Sequence, residues 1–130
     1  LLAGCSKTVL EYIPSGGTYT LADVQKTASE VPLDEVDHIA TADAPAARAE
    51  QMLELRAKGS DASALADALT RDFPSDTAAV PVRIEAATVD GSEVWIIIEA
   101  WGDKDGTLSH RRLWLLDQDT LQVTGSSSFR

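Results

Sequence analysis

A single change of period divides this chain and constrains what it can fold into. Between residues 20 and 74, apolar residues recur at three- and four-residue steps, as in Ala62, Leu65, Leu69 and Phe73. From residue 82 onward they alternate in short runs separated by turn residues, starting with Val82-Arg83-Ile84-Glu85-Ala86. The first pattern is that of amphipathic helices and the second that of half-buried strands. Helices and strands that are segregated along the chain, rather than alternating, imply an α+β domain, not a parallel βαβ fold. The expected architecture is N-terminal helices packed on a four-stranded antiparallel β-meander. A chain of 130 residues suits a single domain with a real core.

Punctuation along the chain places the elements. Thr20-Leu21-Ala22-Asp23 has the spacing of a capping box, with Asp in place of Glu, and Pro32 closes that segment. A polar stretch over residues 33–43 leads to Pro45 in the first turn of a second helix, which runs to about Lys58 and stops at Gly59. Ser60 or Asp61 caps a third helix ending at Pro74. The one-residue joint at Gly59 implies an antiparallel helical hairpin with its seam at Met52, Leu53, Leu65 and Leu69. Asp90-Gly91, residues 102–106 and residues 117–119 mark three hairpin turns between strands over 82–86, 93–101, 108–116 and 121–129. Near the start, residues 8–13 have strand-like composition and can pair on a sheet edge, before the turn signal Pro14-Ser15-Gly16-Gly17.

Strand period two sorts the sheet into faces. Val94, Ile96, Ile98 and Ala100, joined by Leu113 and Leu115, form a wholly apolar face expected to take the helices. The other face holds Trp95, Ile97, Glu99 and Trp101. With Gly102 opposite Thr107, these meet Trp114, Arg112, His110 and Leu108. All three tryptophans of the chain then share one side with an acid, an arginine and a histidine. Two readings stay open: core beneath a curved sheet, or a surface for a partner or apolar ligand, since aromatic anchors beside Arg are typical of interfaces and pockets.

Leu2-Ala3-Gly4-Cys5 contains the chain's only cysteine. This run resembles the lipobox of bacterial lipoproteins. The resemblance implies that residues 1–4 end a signal peptide and that Cys5 carries a diacylglyceryl group. Residues 5–19 are then a tether of roughly 20 Å, and residues 20–130 the globular domain. It implies an extracytoplasmic location, anchored to the outer surface of the cell membrane, or to the outer membrane in a two-membrane cell. A lipid with two chains suffices for stable anchoring. The net charge of −10 argues against nucleic acid and against anionic headgroups as partners.

Catalytic signals are sparse. Asp34 and His38 are four apart, as two metal ligands on a helix would be, but a third ligand is missing from the pattern. Asp103-Lys104-Asp105-Gly106 resembles the opening of a calcium loop, with its glycine two residues early. His110 opposite Glu99 provides a base and an orienter, with hydroxyls at Ser109 and residues 126–128, yet no Gly-x-Ser-x-Gly elbow occurs. Gly16-Gly17 lacks the Lys-Ser/Thr of a phosphate loop. The expectation is a non-catalytic domain without cofactor or metal that binds or stabilises an envelope protein as an accessory subunit. Its candidate surface is Trp95, Ile97, Trp101, Leu108, His110, Arg112 and Trp114. The alternative is a cone-shaped apolar-ligand-binding domain or enzyme with a pocket lined by Trp95, Trp101, Trp114 and His110.

Overall fold

The structure, a computed structural model, describes residues 10–71 and 78–129. Cys5, Phe73 and Pro74, and with them the expected lipidation site and the expected stop of the third helix, lie outside the described residues. The chain forms β1 (Glu11–Ile13), β2 (Thr18–Tyr19), α1 (Leu21–Glu30), α2 (Ala44–Arg56), α3 (Ser60–Arg71), β3 (Ala79–Val89), β4 (Ser92–Trp101), β5 (His110–Asp117) and β6 (Val123–Phe129). It is a mixed α+β fold.

Most local signals act where the sequence places them, but α3 begins at Ser60, so Ser60 and the expected alternative cap Asp61 both lie inside its first turn. Thr20 and Asp23 close a reciprocal capping box at the start of α1. Pro45 sits in the first turn of α2, and Gly59 adopts φ 134° between α2 and α3. Asp90 and Gly91 both take positive φ, as a two-residue hairpin between right-twisted strands requires.

The sheet corrects the expected four strands to six. β3 to β6 do form an antiparallel meander, but β1 and β2 add to the outer side of β3 in parallel. Glu11 pairs with Arg83 and Thr18 with Thr88. The segment expected as a tether over residues 5–19 is therefore part of the fold from at least Glu11, where the strand-like run does pair at the sheet edge.

The helices also divide differently. α1 alone packs on the face of Val94, Ile96, Ile98, Leu113 and Leu115, through Val24 and Ala28. The α2–α3 hairpin covers part of the tryptophan face, where Met52, Leu55, Leu65 and Leu69 meet Ile84, Trp95, Ile97 and Leu116. β4 is apolar on both sides, so the hydrophobic effect favours a cover on each. Leu55, not Leu53, completes the hairpin seam, and Leu53 is 67% exposed. The buried stripe of α2 runs through Ala44, Gln51, Met52 and Leu55, and its glutamine blurs the apolar period.

Register between β4 and β5 is shifted by two residues from the expected pairing. Trp95 faces Leu116, Ile97 faces Trp114, Glu99 faces Arg112, and Trp101 faces His110. The turn after β4 is longer because its residues pair with the loop before α2. Thr41 N–H donates to Gly106 O at 2.9 Å, and Leu108 N–H to Ile39 O at 3.0 Å. A shift of two leaves every side chain on its assigned face, which is why the face assignment survives.

Candidate functional site

The hairpin covers the Trp95 end of its face and leaves a different surface at the Trp101 end. Glu99, with no exposure, fixes that surface from below. Arg48 of α2 bonds its Oε2 through Nη1, and the indole N–H of Trp114 donates to its Oε1 at 2.7 Å. Arg48 also donates to the Ala79 carbonyl at 3.2 Å. A buried carboxylate is costly unless paired and hydrogen-bonded, and these partners meet that demand. They also lock the Trp114 ring in place.

Arg112 lies directly across from Glu99 but does not bond to it. Its guanidinium instead lies 4.8 Å from the ring centroid of Trp101 and 6.0 Å from that of Trp114. Its Nε donates to Ser128 Oγ at 3.4 Å, on the neighbouring β6. The Trp101 indole donates to the Arg111 carbonyl at 3.0 Å. His110 packs on Trp101 with centroids 4.8 Å apart, and its Nε2 is 3.2 Å from Asp103 Oδ2. Trp101, His110, Arg112 and Trp114 thus form one partly exposed ladder of aromatic and cationic groups.

Three of the seven expected surface residues belong to the core instead. Trp95 is 6% exposed and stacks on Tyr12 at 6.1 Å, beneath α3. Ile97 is buried in the same cluster. Leu108 precedes β5 and packs with Leu33, Val36, Ala44, Val80 and Ala100. The tryptophan face is therefore core at its Trp95 end and partly exposed at its Trp101 end, and the edge of the hairpin divides the two. The alternative pocket does not assemble: Trp95 lines a separate cleft with Asp61, Gln118 and Leu121, and lies six residues along β4 from Trp101, roughly 20 Å away.

The candidate chemistry resolves into structure. Asp34 to His38 is a turn rather than a helix, so the four-residue spacing does not bring two ligands to one helix face. Among the described residues no group of three or more His, Cys, Asp or Glu side chains converges as a metal site would. Asp103 accepts the Gly106 N–H at its carbonyl and holds His110 with its carboxylate, which makes 103–106 a structural turn. Register removes Glu99 from His110 as orienter, and Asp103 occupies that position. Ser109 Oγ points back to the Thr107 carbonyl at 3.4 Å.

A second polar centre lies on the opposite face, and the sequence reading missed it. Glu85, 3% exposed, accepts the Tyr19 hydroxyl at 2.6 Å, Arg83 Nη2 at 2.9 Å and the Gly17 N–H at 3.4 Å. Burial pushes the Glu85 carboxyl up, but the hydrogen bonds from Tyr19 and Arg83 outweigh it and hold the group below its ordinary 4.5. The Tyr19 phenol is raised by the same hydrogen bond and by burial. A Cβ on Gly16 would collide with the Glu85 side chain and lie 2.6 Å from the Ala86 carbonyl. The chain can pass over Glu85 only with glycine there. The available signal was an acid between Ile84 and Ala86 in a strand, together with the adjacent glycines Gly16 and Gly17. A cavity of about 40 Å³ beside this centre is too small for an organic ligand.

Comparison with known proteins finds no matching family model, curated protein or solved structure.

Proposed function

We propose that this chain is a non-catalytic docking domain, held at an extracytoplasmic membrane surface by a lipid on Cys5, that binds or stabilises an envelope protein. The observation that carries the reading is the Arg112 guanidinium, held against two indoles on a partly exposed sheet surface. Aromatic rings with an adjacent Arg are the residues that dominate binding energy at protein interfaces. Glu99 and Arg48 hold the platform rigid, which lowers the ordering cost of association. The carboxylate opposite Arg112 is committed to Arg48 and Trp114, so the guanidinium suits a carboxylate brought by a partner.

The test is photo-crosslinking in native membranes from position 128, beside the ladder, and from position 35, on the exposed turn before α2. One reproducible partner from position 128, lost in Trp101→Ala and absent from position 35, supports the reading. Equal capture from both positions, or capture that survives Trp101→Ala, refutes it. Cys5→Ala is expected to shift the protein from the membrane to the soluble fraction. Retention after a high-salt wash would refute the lipid anchor.

A further inference from the structure

The two edges of the sheet are finished differently. On one side β3 is capped by strands of three and two residues with Pro14, Gly16 and Gly17 between them. Short strands and proline are standard ways to make an edge unfit for further pairing. On the other side β6, among the described residues, pairs with β5 alone. Its sequence, Val123-Thr124-Gly125-Ser126-Ser127-Ser128-Phe129, contains no charge and no proline. Its one register irregularity lies at the Val123 end, so Gly125 to Phe129 pairs regularly with β5.

This edge is tied to α1: Phe129, half-buried, packs against the cluster that holds Val24 and Ala28, and Ser127 Oγ accepts a bond from Gln25 at 3.5 Å. Ser126 and Ser128 project, exposed, on the same side as Trp114 and Arg112. A regular edge strand directs the N–H and C=O groups of alternate residues outward, as a template for one more strand.

We propose that β6 accepts an extended segment of a partner protein as an added strand, with an acidic side chain beside Ser128 that reaches Arg112. The charge follows from geometry. Arg112 already extends over β6 to the Ser128 hydroxyl, and among the described residues it forms no ion pair. An added strand lies about 4.8 Å beyond β6. Its residue next to Ser128, on the same face, therefore places a carboxylate within reach of the guanidinium. Two residues along, the position next to Ser126 lies toward Trp114 and suits an apolar side chain. A second copy of this chain fits poorly, because its own β6 offers no acid and each copy carries a net charge of −10. The inference rests on the docking reading for its use of Arg112, and adds the mode of attachment and the partner's chemistry.

The probe is a capped palindromic heptapeptide, Thr-Val-Thr-Glu-Thr-Val-Thr, titrated into the isotope-labelled 130-residue chain at low salt. Two controls replace its Glu by Lys, or N-methylate its third and fourth residues to block both strand edges. The expected result is shifted and exchange-protected amides from Gly125 to Phe129, with the Lys peptide binding at least about tenfold more weakly and the methylated one inactive. Arg112→Gln should remove the preference for Glu over Lys; if that variant misfolds, Ser128→Glu should do the same by occupying Arg112 internally. Shifts around Trp101 and His110 without protection of β6 would overturn strand addition and leave the docking reading standing. Equal binding of the Glu and Lys peptides would overturn the acidic partner. Protection of β6 that grows with protein concentration alone, with a dimer in sedimentation, would assign the edge to a second copy instead. No response at β6 to any peptide would overturn the proposal outright.

Discussion

Replacing Arg48 by Met tests whether the candidate surface stands on a buried charge. In the wild-type chain the Arg48 side chain is 11% exposed and that of Glu99 not at all. Arg48→Met retains the aliphatic packing of α2 but strips Glu99 of its cation, leaving only the Trp114 N–H at 2.7 Å. An uncompensated charge of this kind costs about 3–5 kcal/mol. Against a total stability of about 5–15 kcal/mol for an ordinary domain, that is severe but survivable. With a urea slope of about 2 kcal/mol per molar, the midpoint should fall by about 1.5–2.5 M, followed by tryptophan emission. Arg48→Met/Glu99→Gln removes the stranded charge while its amide oxygen still accepts from Trp114. It should be more stable than Arg48→Met by about 1 kcal/mol or more. A midpoint shift under about 0.5 M for Arg48→Met, or a double variant as unstable as the sum of the singles, would refute the reasoning.

Three further outcomes are expected. Tyr19→Phe should lower stability by about 1 kcal/mol at neutral pH. Because the folded Glu85 carboxyl lies below its ordinary 4.5, its contribution is full above that value and fades as pH falls through the lower one, so wild type and variant should converge in acid melts. Met52→Ala should cost about 2–4 kcal/mol in urea melts, whereas Leu53→Gln should change stability by less than about 0.5 kcal/mol; a loss for Leu53→Gln as large as that for Met52→Ala would put Leu53 back in the hairpin seam. Gly102→Ala drives a Cβ into the Thr107 carbonyl and to 2.6 Å from Thr41 Oγ1, and should cost more than Gly59→Ala, where the space is open and only the positive φ of 134° is penalised, by about 1–3 kcal/mol; equal melting points for the two would contradict the tight turn.

What was legible in the sequence was what neighbouring residues settle among themselves. Thr20 with Asp23, Pro45, Gly59 and Asp90-Gly91 each act within a few positions, and each marks its boundary in the fold. The sorting of β4 into two faces was equally legible, because alternation is a property of the strand itself. Long-range pairing was not. The turn after Trp101 is lengthened by bonds from Ile39 and Thr41 that no local pattern announces. The tryptophan face reads as uniform, yet the α2–α3 hairpin ends partway along it, so Trp95 becomes core while Trp101 and Trp114 stay partly exposed. Arg48 and Gln51 lie on the inward side of α2, where polar residues disguise the stripe.

The glycine-lined crossing over Glu85 bears on the order in which the molecule is completed. Tyr19 and Glu85 are 66 residues apart, and closing a loop of that length from an open chain costs roughly 4 kcal/mol in entropy. The three residue pairs of β1 cannot repay that cost alone, at about 1 kcal/mol for each hydrogen bond. Once the three helices and the meander have assembled, the ends are already close and the same contacts become favourable. The N-terminal arm should therefore dock last and detach first, exchanging its amide hydrogens by local opening while β4 exchanges only on global unfolding. On that order, β1 and β2 would give residues upstream of Leu10 a fixed point of attachment only in the last step of folding.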